Sequence, residues 1–450
     1  GWARASSKVN ITVGSGWFGP RLDDVRAAGR AAMEAGASAL QQTRSEELAA
    51  ILFTSGSTGI PKGAVYSHGN FAAQVEMIRG AYDIRPGEID LPTFPPFALF
   101  DPALGMTTVL PEMDFTKPAL VDPERIREAI DGFGVTNMFG SPALLNTVSR
   151  WAEREGVQFE TLKRVISAGA PVPAVVLART RKMMHADGAI HTPYGATESL
   201  PVATIESREV IEETAAKTAQ GAGVCVGRPV APSTVRGIEV SETPLATWSD
   251  DLLVPTGVIG EITVASPTVT AGYFGREAQT KLAKLQEHLG DPQGTEAPST
   301  RVVHRMGDLG YLDPAGRIWF CGRKSHRVQT AEGDLYTVPV EGGFNAHPDV
   351  FRTALVGVGA PGAQIPVLCV EREVGAAVEP SEAALFAALI ALGAAHAHTR
   401  TITRFVVHPG FPVDIRHNAT IGRPALAAWV AGRRVIETKP QCAPPPCMGP

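Results

Sequence analysis

The sequence predicts an α/β protein, with a large N-terminal domain of mixed, mostly parallel sheets and helices and a smaller α+β domain after it. From about residue 64 to about residue 235, short apolar segments alternate with helical ones, a pattern typical of parallel sheets. Beyond residue 235 the chain becomes β-rich and is punctuated by Gly and Pro. A chain of 450 residues is also too long for one hydrophobic core, so we expect at least two domains.

The first half of the chain supplies the predicted parallel sheet. Strands are expected at residues 49–53, 135–139 and 162–167, where short apolar runs occur. Helices are expected near residues 70–78, near residues 123–130 and from Pro142 onward.

The second half supplies a β-rich subdomain, at about residues 235–322, and a C-terminal domain at residues 323–438. In the subdomain we expect strands at 259–264 and 317–320, and a helix plus a surface loop at 275–300. Residues 322–329 are expected to form the junction between the two parts. After it we expect strands at 355–358 and 367–371, an Ala-rich helix at 382–397, and a Pro-rich, disordered tail at 439–450.

Composition limits the possible functions. A net charge of −5 and a pI near 6.2 leave no basic surface for nucleic acid. Five scattered cysteines without a close pair indicate reduced thiols in a cytoplasmic protein, and no apolar run is long enough for a transmembrane segment. His396 and His398 are the nearest candidates for a metal site, but a solvated helix end is the favoured interpretation of that pair.

Residues 53–63 form the most informative motif, because they combine glycines, hydroxyls and one lysine directly after an apolar strand. Glycine lets backbone N–H groups approach phosphate oxygens, and hydroxyl and ammonium groups add further donors. The spacing is not that of a Walker A loop, since Pro61 precedes the lysine and Gly63 follows it. A Gly/Ser-rich surface turn is the alternative. The candidate triphosphate-binding residues are Thr54, Ser55, Gly56, Ser57, Thr58, Gly59 and Lys62.

A second motif, residues 194–198, supplies groups for the rest of a nucleotide. The ring of Tyr194 can stack on adenine, Gly195 and Ala196 allow close backbone approach, Thr197 can donate to a phosphate, and Glu198 can hold Mg²⁺. Alone, a strand that ends in a turn would explain the same residues. Asp308, between two glycines, is a candidate acceptor for ribose hydroxyls, although Gly-Asp is usually a β-turn.

Together these motifs resemble the signature of the adenylate-forming superfamily, which includes acyl-CoA synthetases, peptide-synthetase adenylation domains and luciferases. The resemblance implies that a carboxylate attacks the α-phosphorus of ATP to give an acyl-adenylate and pyrophosphate. It also implies that Gly169 and Ala170 face adenine, that Asp308 binds ribose, that Arg323 lies near a hinge, and that residues 323–438 form a mobile lid on an adenylation domain at 1–322. In the superfamily well over a hundred residues precede the phosphate loop and here about fifty do, so part of the N-terminal subdomain is expected to be missing from this sequence.

The C-terminal segment departs from the superfamily pattern. Members carry a lysine there that the lid brings to the reacting carboxylate and the α-phosphate, whereas this chain has Thr420 at that position. A neutral hydroxyl cannot stabilise negative charge on the phosphorus as an ammonium does. Arg416 or Arg423 is expected to substitute, or else adenylation is slow.

The segment at residues 94–113 suits a hydrocarbon substrate, because it is apolar and offers nothing to bind an amino-acid ammonium. In detail the chain resembles the β-lactone synthetases of bacterial olefin biosynthesis. That resemblance implies activation of a long-chain 2-alkyl-3-hydroxy acid with ATP and Mg²⁺, ring closure by its own 3-hydroxyl, and assembly with pathway enzymes of the α/β-hydrolase and dehydrogenase types. The alternatives are a fatty acyl-CoA or acyl-carrier ligase and a nucleotide-binding subunit with impaired catalysis. The candidate acyl-site residues are Phe97, Ala98, Leu99, Phe100, Phe139 and Gly140.

Overall fold

The computed structural model describes residues 9–15, 19–38, 42–54, 60–290, 299–373, 381–413, 421–433 and 436–437. The chain divides into two compact units, residues 1–47 and residues 48–450. The first unit contains one helix in its described part, α1 (Leu22–Glu34), which has no buried side chain. All other elements belong to the second unit.

A parallel sheet occupies the first half of the second unit. It is preceded by an antiparallel hairpin of β1 (Leu48–Phe53) and β2 (Gly63–Ser67). Strands β3 (Ile89–Pro92), β4 (Thr107–Thr108), β5 (Asn137–Phe139), β6 (Arg164–Ile166) and β7 (Ala189–Ala196) follow, in the parallel order β4-β3-β5-β6-β7. The helices between them are α2 (His68–Tyr82), α3 (Asp101–Leu104), α4 (Pro123–Phe133), α5 (Pro142–Glu155) and α6 (Ala174–Met183), with short 3-10 turns at Pro95–Leu99 and Pro118–Leu120.

Helices α4, α5 and α6 pack on this sheet and bury its apolar side chains. Ile126, Leu145 and Leu177 from the helices form one core with Met138 and Val165 from the strands. Local signals fix the helix ends: the Ser141 hydroxyl accepts a hydrogen bond from the Leu144 amide at the start of α5, and Gly156 ends the helix with φ of 68°.

Antiparallel strands extend the same sheet. They are β8 (Ser199–Glu206), β9 (Val224–Pro229), β10 (Thr234–Ile238), β11 (Gly260–Ala265), β12 (Lys284–Leu289), β13 (Ser299–Leu312) and β14 (Ile318–Arg323). Beyond β7 the order is β8-β9-β14-β13-β11-β10, and β12 also pairs with β13. Between them lie α7 (Ser207–Glu209), a π-helical turn at Val210–Thr214, α8 (Ala215–Ala219), a 3-10 turn at Asp250–Leu252 and α9 (Glu277–Ala283).

One expectation for this part is wrong, because residues 284–289 form a strand where a helix plus a loop was expected. The antiparallel strands begin at β8, before the β-rich part that was expected from about residue 235. Charged residues in β12 concealed the strand, since only part of its side chains are buried against β13.

The C-terminal region has a sheet and cores of its own. After a 3-10 turn at Lys324–His326 come β15 (Val328–Thr330), β16 (Gly333–Leu335), α10 (Thr337–Phe344), β17 (Val350–Val358), β18 (Ile365–Arg372), α11 (Glu382–Gly393), β19 (Arg404–Val407), α12 (Arg423–Ala431) and β20 (Ile436–Glu437). The four strands β17 to β20 form one sheet in chain order. One face, with Leu355 and Leu368, packs on α10 and α11, and the other, with Val356 and Val367, packs on α12.

The α/β fold class is therefore confirmed. The helix expected at residues 382–397 ends at Gly393, and the expected tail at 439–450 lies outside the described residues. The division at residue 322, with a mobile lid after it, stays a prediction. Within the described segments, no helix is both long enough and apolar enough to cross a membrane.

Candidate active site

Strands β1 and β2 carry the two ends of the predicted phosphate loop. The Thr54 amide donates to the Lys62 carbonyl at 2.9 Å, and the Lys62 amide donates to the Thr54 hydroxyl at 3.2 Å. These bonds continue the antiparallel pairing of the hairpin and fix Lys62 where the loop ends. Five loop residues lie outside the described residues, namely Ser55, Gly56, Ser57, Thr58 and Gly59.

Tyr273, which the sequence analysis missed, lies directly beside Lys62. Main-chain hydrogen bonds of 3.0 and 2.8 Å tie its segment to β2, so the ring is brought against the hairpin. The Lys62 ammonium lies 4.6 Å from the centroid of the Tyr273 ring, within the range of a cation–π interaction. The lysine is thus held at the mouth of the loop by an aromatic face.

Glu198 lies in the turn between β7 and β8 and is only 8% exposed. Its carboxylate accepts a hydrogen bond from the Tyr273 hydroxyl, and its main-chain carbonyl accepts bonds from the Thr270 amide at 2.9 Å and the Thr270 hydroxyl at 3.3 Å. Burial, with the charge of Glu198, raises the pKa of Tyr273 far above its usual value. The hydroxyl therefore keeps its proton and continues to donate to the carboxylate.

The arrangement at Glu198 fits a metal ion that is shared with a substrate. In the described part of the chain no cluster of three or more His, Cys, Asp or Glu side chains could hold a metal by itself, and His396 and His398 stand as a pair. Mg²⁺ typically takes one or two protein carboxylates and completes its shell with phosphate oxygens and water. A single buried carboxylate beside a phosphate loop matches that requirement.

A second group of side chains joins β13 and β14 to β7. The Tyr194 hydroxyl donates to Asp308 at 2.6 Å, and the other carboxylate oxygen of Asp308 lies 2.9 Å from a guanidinium nitrogen of Arg323. Burial raises the pKa of Asp308, and the charge of Arg323 opposes that rise. Asp308 and Arg323 face each other in the ladder between β13 and β14, which explains their contact although the sequence separates them.

The two groups lie close to each other. Tyr194 is in β7 and Glu198 follows in the turn after it, and the charge of Glu198 acts on both Asp308 and Arg323. The structure therefore brings together the described ends of the phosphate loop, the second motif, Asp308 and Arg323. Their individual roles stay predictions.

The other nucleotide-site candidates are main-chain features. Gly169 has a φ of 97°, a conformation that favours glycine, and it lies with Ala170 in the loop after β6. The carbonyl of Thr197 accepts a hydrogen bond from the Tyr66 hydroxyl. A Cβ atom on Gly195, next to Ala196, would lie 2.9 Å from the Leu200 Cβ, so the close approach at Gly195 is to the neighbouring strand.

The acyl-site candidates separate into two sets. The ring centroids of Phe97 and Phe139 are 4.4 Å apart, and Gly140 follows Phe139 at the end of β5. These three residues therefore lie together. The centroid of the Phe100 ring instead lies 6.3 Å from that of the Phe71 ring, and Ala98 is half-buried. Leu99 is 80% exposed and points away from any described core.

Of the three C-terminal candidates, one, Arg423, lies within the described residues. Arg416 and Thr420 lie outside the described residues. Arg423 begins α12, where its guanidinium pairs with both carboxylate oxygens of Glu341, at 2.5 and 2.9 Å, and donates to the Leu355 carbonyl at 3.0 Å. In this conformation Arg423 ties α12 to α10 and β17.

Thr270 and Lys284 lie near Glu198 as well, and no sequence motif predicts either of them. Thr270 holds the main chain of Glu198, and the Lys284 ammonium lies 3.4 Å from the Thr270 hydroxyl. A lysine at the start of a segment expected to be helix and loop gave no signal of burial, because only the pairing of β12 with β13 places it inside.

Curated relatives resemble almost the entire chain. It is 52% identical over 436 residues to a protein of Xanthomonas campestris pv. campestris named olefin beta-lactone synthetase, covering 96% of this chain and 75% of the relative. A protein of Stenotrophomonas maltophilia with the same name is also 52% identical, with the same two coverages. A feruloyl-CoA synthase of an Amycolatopsis species is 27% identical, over 70% of this chain and 57% of that protein.

Solved structures share the fold. An amide bond synthetase of Marinactinospora thermotolerans superposes with a TM-score of 0.71 at 22% identity, over 95% of this chain and 76% of the other. The O-succinylbenzoate coenzyme A synthetase of Bacillus subtilis, in complex with AMP, gives a TM-score of 0.64 at 19% identity, over 85% and 69%. The family model described as AMP-binding enzyme matches residues 7–274, more than half of the sequence. The chain belongs to the AMP-binding enzyme family.

Proposed function

We propose that the protein is a β-lactone synthetase that uses ATP and Mg²⁺ to activate a long-chain 2-alkyl-3-hydroxy acid. The observation that carries the proposal is the 52% identity, over 96% of this chain, to proteins named olefin beta-lactone synthetase. The groups at the described loop ends and at Tyr194, Asp308 and Arg323 support it, because a nucleotide requires groups of these kinds.

In the first half-reaction an oxygen of the substrate carboxylate bonds to the α-phosphorus of ATP, and the bond to the β-phosphate breaks, which releases pyrophosphate. Asp308 would hold the ribose hydroxyls, and Lys62 would place a positive charge at the triphosphate. Glu198 would hold Mg²⁺, which supplies further charge neutralisation when bound. Tyr273 keeps the Glu198 carboxylate in place by its hydrogen bond.

In the second half-reaction the 3-hydroxyl oxygen bonds to the acyl carbon, the bond to AMP breaks, and the hydroxyl proton passes to water. The nucleophile is part of the activated molecule, so no encounter with a second substrate is needed, and this proximity helps to offset the strain of a four-membered ring. The apolar pair Phe97 and Phe139 would hold an alkyl chain and exclude water from the adenylate.

The test is incubation of the protein with ATP, Mg²⁺ and a 2-alkyl-3-hydroxy acid without coenzyme A, followed by identification of the organic product. We expect β-lactone, AMP and pyrophosphate in equal amounts. Glu198→Gln, which keeps the shape of the side chain and removes its charge, should lower pyrophosphate release about a hundredfold or more.

Two other outcomes would reject the proposal. A thioester that forms only when coenzyme A is added would assign the protein to the acyl-CoA ligases. Binding of ATP without pyrophosphate release would assign it to nucleotide-binding subunits with impaired catalysis.

We further propose a cytoplasmic location and assembly with other enzymes of the same pathway, of the α/β-hydrolase and dehydrogenase types. Among the described residues, Cys225, Cys321 and Cys369 are buried and free, which supports a reducing compartment. Co-purification of the tagged protein with pathway enzymes from its host would test the assembly.

A further inference from the structure

Lys284 differs from the other buried cations of the molecule. Among the described residues three Lys or Arg side chains are buried, with exposed fractions of 3% for Arg305, 7% for Arg317 and 7% for Lys284. Arg305 pairs with Glu261 at 2.6 Å, and Arg317 pairs with Asp313 at 2.7 Å. Lys284 contacts a neutral group, the Thr270 hydroxyl, at 3.4 Å, and no carboxylate in the described part of the chain lies within 4.0 Å of it.

The position of Lys284 is set by strand pairing. It is the first residue of β12 and lies opposite His304 of β13. The Thr270 hydroxyl next to it donates to the main-chain carbonyl of Glu198 at 3.3 Å. Lys284 therefore stands one side chain away from the residue that we expect to hold the metal ion.

The charges around Lys284 do not balance. Glu198 supplies one negative charge near Lys284, and Lys62 supplies a second positive charge. His304 adds none, because burial holds its pKa well below the usual range. Two lysines thus act electrostatically on the region around one carboxylate, and Lys284 itself is buried, where like charges repel more strongly than in solvent.

Burial also disfavours the charged form of Lys284 when no ligand is bound. It lowers the pKa of the ammonium to about 7, and the charge of Lys62 lowers it further while that of Glu198 raises it. A buried lysine with these neighbours gains most from an additional anion, since an anion relieves both the desolvation and the repulsion.

We propose that Lys284 is a binding-site cation for the triphosphate of ATP and for the departing pyrophosphate, acting from the β12 side of Glu198. The proposal rests on the proposed function, because it requires that the phosphate loop and Glu198 bind ATP. It assigns the triphosphate two lysines from different parts of the chain, Lys62 on the hairpin and Lys284 on β12.

The experiment measures phosphate binding apart from catalysis. The probe is inorganic tripolyphosphate without Mg²⁺, titrated calorimetrically into the full chain, and the KM for ATP and the kcat for pyrophosphate release are measured in parallel. The variants are Lys284→Met, which keeps length and removes charge, Lys284→Gln, which keeps a polar end, and Lys284→Arg. Lys281→Met is the matched control, since Lys281 is exposed on α9 three residues earlier in the chain.

We expect Lys284→Met and Lys284→Gln to weaken tripolyphosphate binding and to raise the KM for ATP about tenfold or more, the effect of losing one hydrogen bond to a charged group. The kcat should change less, Lys284→Arg should recover most of the affinity, and Lys281→Met should match the wild type. A purely structural lysine would not give this separation of KM from kcat.

A folded Lys284→Met or Lys284→Gln protein with wild-type affinity for tripolyphosphate would overturn the proposal. Failure of both variants to fold would also overturn it, because it would assign the lysine to folding. If the wild type itself bound neither tripolyphosphate nor ATP, the proposed function would fail instead, which separates the two claims.

Discussion

At the scale of single residues, Asp90 and Asp101 show how burial decides protonation. They are 4% and 3% exposed, at β3 and at the start of α3. The Asn137 side chain donates to Asp90, and the Thr108 hydroxyl donates to Asp101 at 2.6 Å. Burial, and then the charge of Asp101, raises the pKa of Asp90 to about 8, and burial raises the pKa of Asp101. The pair is therefore expected to carry one proton near neutral pH.

This pair predicts a pH dependence of stability. The usual pKa of an Asp side chain is 3.8, and folding raises that of Asp90 to about 8, so its protonation favours the folded state at low pH. That contribution is lost as the pH rises through about 8. Relative to the wild type, the free energy of unfolding of Asp90→Asn should therefore increase by about 1 kcal/mol or more between about pH 5 and about pH 8.5.

Urea unfolding at the two pH values measures this difference. Asp187→Asn, which changes an exposed carboxyl, is the control and should follow the wild type. Parallel pH profiles for the wild type and Asp90→Asn would contradict the prediction.

Single residues also show which parts of the site cannot be predicted from the sequence. Glu198 could be proposed because its motif follows the phosphate loop in the order that the superfamily signature has. The residues that hold it, Thr270 and Tyr273, lie 72 and 75 positions further on, in a segment with no distinctive composition. Their roles depend on the pairing of that segment with β2, and long-range pairing of this kind leaves no local pattern.

At the scale of elements, β9 needs a glycine where it crosses close to β8. Gly227 has a φ of 84°, and a Cβ atom there would lie 1.9 Å from the carbonyl oxygen of Thr204. Gly257 has nearly the same φ, 83°, with nothing within 4 Å of a Cβ atom. Substitutions at these two glycines therefore distinguish the cost of backbone strain from the cost of steric overlap.

We expect Gly257→Ala to cost about 1–2 kcal/mol of unfolding free energy, the strain of an L-residue in the left-handed region. Gly227→Ala should cost about 1–3 kcal/mol more, because the strands must also separate to admit the methyl group. Urea unfolding of both variants measures the difference. Equal losses of unfolding free energy in the two variants would contradict this expectation, because they would show that β8 and β9 move apart at no cost.

Elements with strong local signals could be predicted well, and those fixed by partners could not. The helix expected near residues 123–130 is α4 (Pro123–Phe133), which has a capping Asp122 and a Gly134 at its end. By contrast β12, with alternating polar residues after a helix, is a strand only because β13 pairs with it. The same missed strand carries Lys284, so the error at the element scale concealed the buried lysine that we propose as a phosphate-binding residue.

At the scale of the whole molecule, charged pairs connect the C-terminal region to the rest. Lys324, directly after β14, lies 3.1 Å from Glu261 and donates to the Ser241 carbonyl at 2.9 Å. Within the region, the pair of Arg423 and Glu341 joins α12 to α10. A role for Arg423 at the α-phosphate would require this pair to break, and a broken partly buried pair leaves both charges uncompensated.

Arg423 is therefore expected to stabilise the C-terminal region, which leaves Thr420 as the position where the superfamily lysine is absent. If this segment reaches the α-phosphate, Thr420→Lys adds a cation where negative charge develops, and pyrophosphate release should accelerate about tenfold or more. Lactone formation should respond less, because its nucleophile is neutral and already tethered. The two products are measured in parallel, with Thr420→Met as the control for side-chain length. Unchanged pyrophosphate release in Thr420→Lys, together with its loss in an Arg423→Ala protein that still folds, would return the catalytic role to Arg423.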